Sequence, residues 1–154
     1  IMKLAERLSG ITFNLAGAGN GYDVAEEIHR LNLKNVVYHG ILNHAQIAKL
    51  LSKMDLHIFP SRSEGFPKVT LETAAMGVPS IVYSDYGAAE WITTGKNGYV
   101  VDNVDEIEAI VKDLQQNPNK LNSLATEAIK LAKSFDWRVL VKDWEKVIEK
   151  VVYA

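Results

Sequence analysis

Short runs of β-branched and apolar residues alternate along the chain with longer segments of helical period. The runs at 11–16 (ITFNLA), 35–40 (NVVYHG), 56–59 (LHIF), 80–84 (SIVYS) and 98–101 (GYVV) read as strands. Between them, residues 22–30, 45–53, 68–76 and 88–93 read as helices. Strand and helix in strict alternation predict a parallel sheet covered on both faces, that is, a doubly wound α/β domain. The strands are mostly continuous apolar runs, as burial on two faces requires.

Beyond residue 103 the strands stop. Segments from 103 or 104 to 116, from 120 to 133 and from 137 to 151 read as successive helices. The last is amphipathic, with Leu140, Trp144, Val147, Ile148 and Val151 on one face and Asp136 placed to cap its start. That pattern assigns Trp137 and Trp144 to the core, and Trp91 likewise. No repeat, low-complexity tract or linker interrupts the chain, so 1–154 reads as one domain. Residues 1–8 read as a helix, whereas a domain of this kind usually opens on a strand. A first strand is therefore expected upstream of Ile1.

Composition narrows the chemistry. A chain of 154 residues, 47% apolar and 23% charged, fits one globular domain with a real core. It holds no cysteine, which excludes disulfides and thiolate metal sites and suits a reducing cytoplasm. No run approaches a membrane span, and the opening IMKLAERLSG lacks the pattern of a signal peptide. The four histidines show no metal-ligand spacing, and His57, inside a strand, reads as a satisfied core residue. A net charge of −2 argues against a sequence-independent nucleic-acid binder. An anionic ligand must be held locally, by main-chain dipoles and a few chosen cations.

Residues 64–80, EGFPKVTLETAAMGVPS, supply such a place. Pro67 suits a first helical position, which would leave the amides of Lys68, Val69 and Thr70 free at a helix N-terminus, where phosphate binds well. The preceding strand ends at Pro60, and ligands of open α/β sheets gather at such carboxyl ends. Glu72 stands about 6 Å further along the axis, at 1.5 Å per residue, and Glu64 lies in the loop on the other side. Ionised carboxylates only accept hydrogen bonds. They repel phosphate and hold hydroxyls, so the fitting ligand is a diphosphate with a polyhydroxylated ring at each end, as in a nucleotide-sugar. Ala74, Ala75 and Gly77 would let this helix pack closely on the sheet.

The stretch from Glu64 to Val101 resembles the donor-binding half of retaining glycosyltransferases of the GT-B fold, family 4 (group 1), whose signature is two glutamates separated by seven residues. LAGAGN, the segment from Val36 to Pro67 and the closing SFDW are similar to the same family in the same order. The resemblance implies a Rossmann-like half of a GT-B enzyme followed by C-terminal helices. It gives Glu64 the catalytic position, where with Gly65 and Phe66 it meets the transferred sugar. It assigns the phosphates to Lys68, Val69 and Thr70 and the ribose to Glu72. The loops at Gly17 and Gly19 and at Gly40, Ile41 and Leu42 would line the cleft and the base. It further implies a UDP-, GDP- or ADP-sugar donor as co-substrate, with neither metal nor cofactor. The parent would be cytoplasmic, compatible with peripheral attachment to the inner face of a membrane, and would bind its acceptor through a separate N-terminal domain. The family's diphosphate-neutralising arginine and lysine would fall upstream of Ile1, and Arg62 and Lys68 are the nearest cations here. Where the family commonly has paired glycines this chain has Tyr86-Gly87. Two other functions share these features: a sugar-nucleotide epimerase of GT-B architecture and a non-catalytic nucleotide-sugar module. The GAGNG turn lacks the third glycine of a dinucleotide fingerprint, so it reads as a tight turn facing the cleft.

Overall fold

The computed structural model describes residues 1–19 and 21–152. Asn20, within the GAGNG turn, lies outside them. Five strands, β1 (Phe13–Leu15), β2 (Val36–Tyr38), β3 (His57–Phe59), β4 (Ser80–Tyr83) and β5 (Gly98–Val101), fall on the predicted runs, the first four trimmed by a residue or more and β5 coinciding with its run. The helices are α1 (Met2–Arg7), α2 (Val24–Arg30), α3 (His44–Leu51), α4 (Lys68–Ala75), α5 (Val104–Gln116), α6 (Pro118–Ser134) and α7 (Trp137–Val152). Caps fix their starts. Asp23 accepts from the Glu26 amide, and Asn43 and Gln46 form a reciprocal capping box that begins α3. Asn103 accepts from the amides of Asp105 and Glu106, and Asp136 accepts from the Arg138 amide at 2.9 Å, as expected. The helix predicted at 88–93 is a single 3-10 turn, Ala88–Glu90, because Gly87 enters it with φ +77° and the chain leaves helical geometry at Trp91.

All strand pairs are parallel, as predicted, but among the described residues they form two sheets, one of order β1-β2 and one of order β3-β4-β5. The core is nonetheless shared. Leu4 and Leu8 of the first helical segment, Phe13 and Val36 of one sheet, Ile81 and Val101 of the other, and Ile107 and Val111 of α5 form one cluster. Asn35 locks its amino end. The side-chain amide donates to the carbonyls of Ala5, Leu8 and Ile11 at 3.0, 3.1 and 2.9 Å, tying the exit of α1 to the start of β2.

Packing departs from expectation at three places. Ala74 is buried, but Ala75 is exposed, and Gly77 meets Ile129 of α6 rather than the sheet; its φ of +75° makes it the left-handed residue that ends α4. Trp137 and Trp144 are exposed by 65% and 58%, not buried. The periodicity of α7 correctly gave an apolar face, but periodicity names no partner for that face. Trp91 is half-buried, against Phe66 and Tyr86.

Candidate functional site

The loops that follow β1, β2 and β3 carry the sequence-predicted residues. Gly17 and Gly40 are brought together: the Gly17 amide donates to the Gly40 carbonyl at 2.8 Å, and the Tyr38 hydroxyl donates to the Gly17 carbonyl at 2.8 Å. Gly40 has φ +64° and turns the chain outward, leaving Ile41 79% exposed at the rim. Leu42 and His39 line a shallow hollow of about 210 Å³. Gly19 sits so close to the Tyr22 carbonyl that a Cβ would lie 1.8 Å from its oxygen, so the turn admits only glycine there.

At the end of β3 the chain runs through Pro60 into the loop that holds Glu64. Ser61 donates to the Glu64 carboxylate at 2.7 Å, orienting it. Sequence reasoning missed this hydroxyl, although a serine three residues before an acid is a recognisable local pairing. Gly65 is exposed. Phe66 is 41% exposed, and its ring lies against Trp91 at 4.8 Å and stacks on Phe135 at 5.5 Å.

Pro67 stands one place before the helix, as its cap, with φ −75° and ψ 94°, and not at the first helical position. Its extended ψ aims its carbonyl into the first turn, where it accepts from the Thr70 amide at 3.0 Å and the Thr70 hydroxyl at 2.8 Å. The Thr70 amide is thus engaged rather than free. No side chain caps the helix, so the amides of Lys68 and Val69 head α4 open to a ligand. Lys68 is exposed, and no carboxylate pairs with it among the described residues. Glu72 is exposed on the second turn of α4. Neither Glu64 nor Glu72 is in an ion pair among the described residues. Both carboxylates therefore keep their capacity to accept from hydroxyls.

The first turn of α4 is anchored from below by a buried chain of hydroxyls. His57 Nδ1 lies 2.9 Å from Ser80 Oγ, Ser80 Oγ lies 3.1 Å from Thr73 Oγ, and Thr73 donates to the Thr70 carbonyl at 3.0 Å. Burial pushes the His57 imidazole down to about 4. His57 is satisfied by Ser80, but it is only half-buried and lines the gap beside β3, so it is not the core residue that its strand position predicted.

Arg62 is no substitute for a free cation. It is paired with Asp85 at 2.9 Å, reaches the Asp102 carbonyl at 3.4 Å, and lies over the Tyr83 ring at 4.1 Å. Tyr86 is close enough to feel Glu64: burial first, then the charges of Glu64 and Asp85, push its phenol up to about 12. Its hydroxyl and the Trp91 indole N–H are both buried without a partner among the described residues. Among the same residues, no group of three or more metal-ligating side chains converges, and no helix is long and apolar enough to cross a membrane.

A family profile described as "Glycosyl transferases group 1" matches residues 1–131. The UDP-N-acetylglucosamine–peptide N-acetylglucosaminyltransferase GtfA subunit of Streptococcus pneumoniae is 24% identical over 162 residues, covering 99% of this chain and 32% of the relative. In three dimensions the chain is similar to Anabaena HepE, solved in complex with UDP-glucose. The TM-score is 0.76 at 23% identity, over 98% of this chain and 44% of that one. It is also similar to a solved C-terminal domain of a group 1 family protein, LpcC of Francisella tularensis. There the TM-score is 0.65 at 14% identity, over 87% of this chain and 91% of that one. At these identities both structures speak to the fold. This chain spans 32% to 44% of the length of three curated relatives that it matches nearly end to end.

Proposed function

The chain belongs to the group 1 glycosyl transferases, and from that membership we propose that it is the donor-binding, C-terminal half of a retaining family 4 hexosyltransferase. The observation that carries the reading is the uncapped start of α4 between two exposed, unpaired carboxylates. Main-chain amides of Lys68 and Val69, with the helix dipole, hold a diphosphate. Lys68 adds a positive charge. Glu72 accepts from the ribose hydroxyls. Glu64, oriented by Ser61, accepts from hydroxyls of the transferred sugar, with Gly65 and Phe66 beside it. The loops at Gly17, Gly19 and Gly40–Leu42 border the base.

In the reaction the acceptor hydroxyl oxygen bonds to the anomeric carbon on the face from which the diphosphate leaves. The carbon–oxygen bond to the diphosphate breaks, and the acceptor's proton passes to the departing phosphate oxygen. Glu64 then acts by holding the sugar rather than as an obligatory nucleophile. The acceptor is bound by another domain of the parent, which is cytoplasmic and works with or without attachment to a membrane face. The coverage of the longer relatives supports this division of labour.

Calorimetric titration of UDP, GDP and ADP against the wild-type chain and Glu72→Ala tests the ribose assignment. A carboxylate accepting from hydroxyls is worth about 1.5–3 kcal/mol, so the substitution should weaken the preferred ribonucleotide about 10- to 100-fold. It should leave a 2′,3′-dideoxynucleotide unaffected. Equal losses for both would refute the ribose role of Glu72.

A further inference from the structure

The loop that carries Glu64 has little of its own to hold it. Between Pro60 and Pro67 no residue is buried: Ser61 is half-buried and the rest are exposed. Among the described residues, no hydrogen bond between main-chain groups involves residues 61–66. Segments so built open easily. A carboxylate that meets a sugar must nevertheless stand in one place, because a small misplacement forfeits the contact. Side chains must supply the restraint.

Two side chains supply it, one near each end. Next to α4, Phe66 lies against Trp91 and stacks on Phe135. Next to β3, Arg62 reaches across the sheet end. Its Nη1 donates to the two Asp85 oxygens at 3.2 and 2.9 Å, its Nη2 donates to the Asp102 carbonyl at 3.4 Å, and its guanidinium lies over the Tyr83 ring. β3, β4 and β5 are neighbours in one sheet. One side chain from the loop after β3 therefore grips the chain leaving β4 and the chain leaving β5. The groups that receive it are fixed in turn. Tyr83 is buried. The Asp102 carboxylate accepts from Ser84 at 2.5 Å, and its amide donates to Glu106 at 3.2 Å, which also accepts from the cap residue Asn103 at 2.6 Å. Ser61, which holds the Glu64 carboxylate, is the chain neighbour of Arg62. Burial, then Glu64 and then Asp85 raise the phenol of Tyr86, which places both carboxylates around one residue.

With Glu64 read as the sugar contact, on which the inference rests, we propose that Arg62 is a positioning residue for the transferred sugar. It latches the Glu64 loop onto the ends of β4 and β5 and acts through Ser61 and Glu64, without touching the donor. The Arg62 side chain is 56% exposed, and ion pairs so placed add little to global stability. Its contribution is to placement. The diphosphate end does not depend on it. Pro67 is buried and its carbonyl is bound by the Thr70 amide and hydroxyl, so the amides of Lys68 and Val69 keep their place when the latch is open. Loss of Arg62 therefore weakens the grip on the sugar and spares the grip on the nucleotide.

Calorimetric titration of the 154-residue chain tests this. UDP, GDP and ADP are compared first, then the glucose, galactose and N-acetylglucosamine esters of whichever binds best, and the affinity that the sugar adds is the quantity read. Arg62→Ala should cut that gain about 5- to 10-fold, the scale of coupling within one side-chain network. The affinity for the bare nucleotide should stay within about 2-fold, as for independent sites. Asp85→Ala should lose as much of the gain, and the double variant no more than either. A gain that survives Arg62→Ala, equal losses for nucleotide and nucleotide-sugar, or additive losses in the double variant would overturn the proposal. A wild-type chain that gains nothing from any of the three sugars, or Glu64→Ala with the gain intact, would instead sink the reading of Glu64, and the role of Arg62 with it.

Discussion

His57 should make this chain acid-labile in a way that one substitution removes. Its imidazole is half-buried beside Phe59, with Nδ1 at 2.9 Å from Ser80, and desolvation holds it at about 4 against an ordinary 6.5. The unfolded chain therefore binds a proton near pH 6.5 that the folded chain refuses until near pH 4. Stability from this group is complete above about 6.5 and is lost as the pH falls through the window to about 4. Taking the two values at face value, the loss relative to pH 7.5 is about 2 kcal/mol at pH 5 and about 3 kcal/mol at pH 4. Urea denaturation followed by circular dichroism, repeated from pH 7.5 to 5, reads this directly as a fall in midpoint at constant m. Carboxylates titrate at the lower end of the range, so the decisive quantity is the difference from His57→Gln. That variant keeps a group able to bond Ser80 but has nothing to protonate. It should start less stable at pH 7.5 and lose about 2 kcal/mol less than wild type by pH 5. Parallel stability curves for the two proteins would refute the reasoning.

Asn35→Ala removes the amide that serves three carbonyls and should cost about 2 kcal/mol, seen as a lower calorimetric Tm. Asn35→Asp should lose at least as much, since an ionised carboxylate donates nothing. Gly98→Ala would place a Cβ 2.6 Å from the Ser80 carbonyl oxygen and 3.0 Å from Ile92. β5 must then part from β4, at about 1–3 kcal/mol, measurable by urea titration. Tyr86→Phe deletes a buried hydroxyl without a partner among the described residues. It should raise stability by about 1 kcal/mol, and a fall of that size would show that the hydroxyl is satisfied in solution.

Much of the architecture was legible because two periods, one for strands and one for helices, alternate without interruption from residue 11 to residue 101. The boundaries were less so, since they are set by caps such as the Asn43–Gln46 box and the Asp23 side chain. At the candidate site, residue types gave the acids and the turn, but the fate of each amide depends on backbone angles. The ψ of Pro67 turned its carbonyl toward Thr70 and left two free amides where three were expected. The Ser61–Glu64 bond and the hydroxyl chain from His57 to Thr70 involve common residues whose alignment only folding creates. Arg62 is the opposite case. The sequence marked it only as a nearby cation that reads as a surface charge, and three-dimensional proximity to Asp85 and Tyr83 engages it in contacts that sequence spacing did not show. The single sheet expected from alternation is divided between β1 and β3 among the described residues, since alternation gives the order of elements along the chain and not which strands pair.

The bare stripe of α7 has a practical side. Trp144, Val147, Ile148 and Val151 stand more than half exposed along one flank of the closing helix, and a net charge of −2 offers little mutual repulsion between molecules. Concentrated stocks should therefore be cohesive, precipitating early in ammonium sulfate, which strengthens apolar contacts. Replacing Val147 and Val151 with glutamate should disperse them.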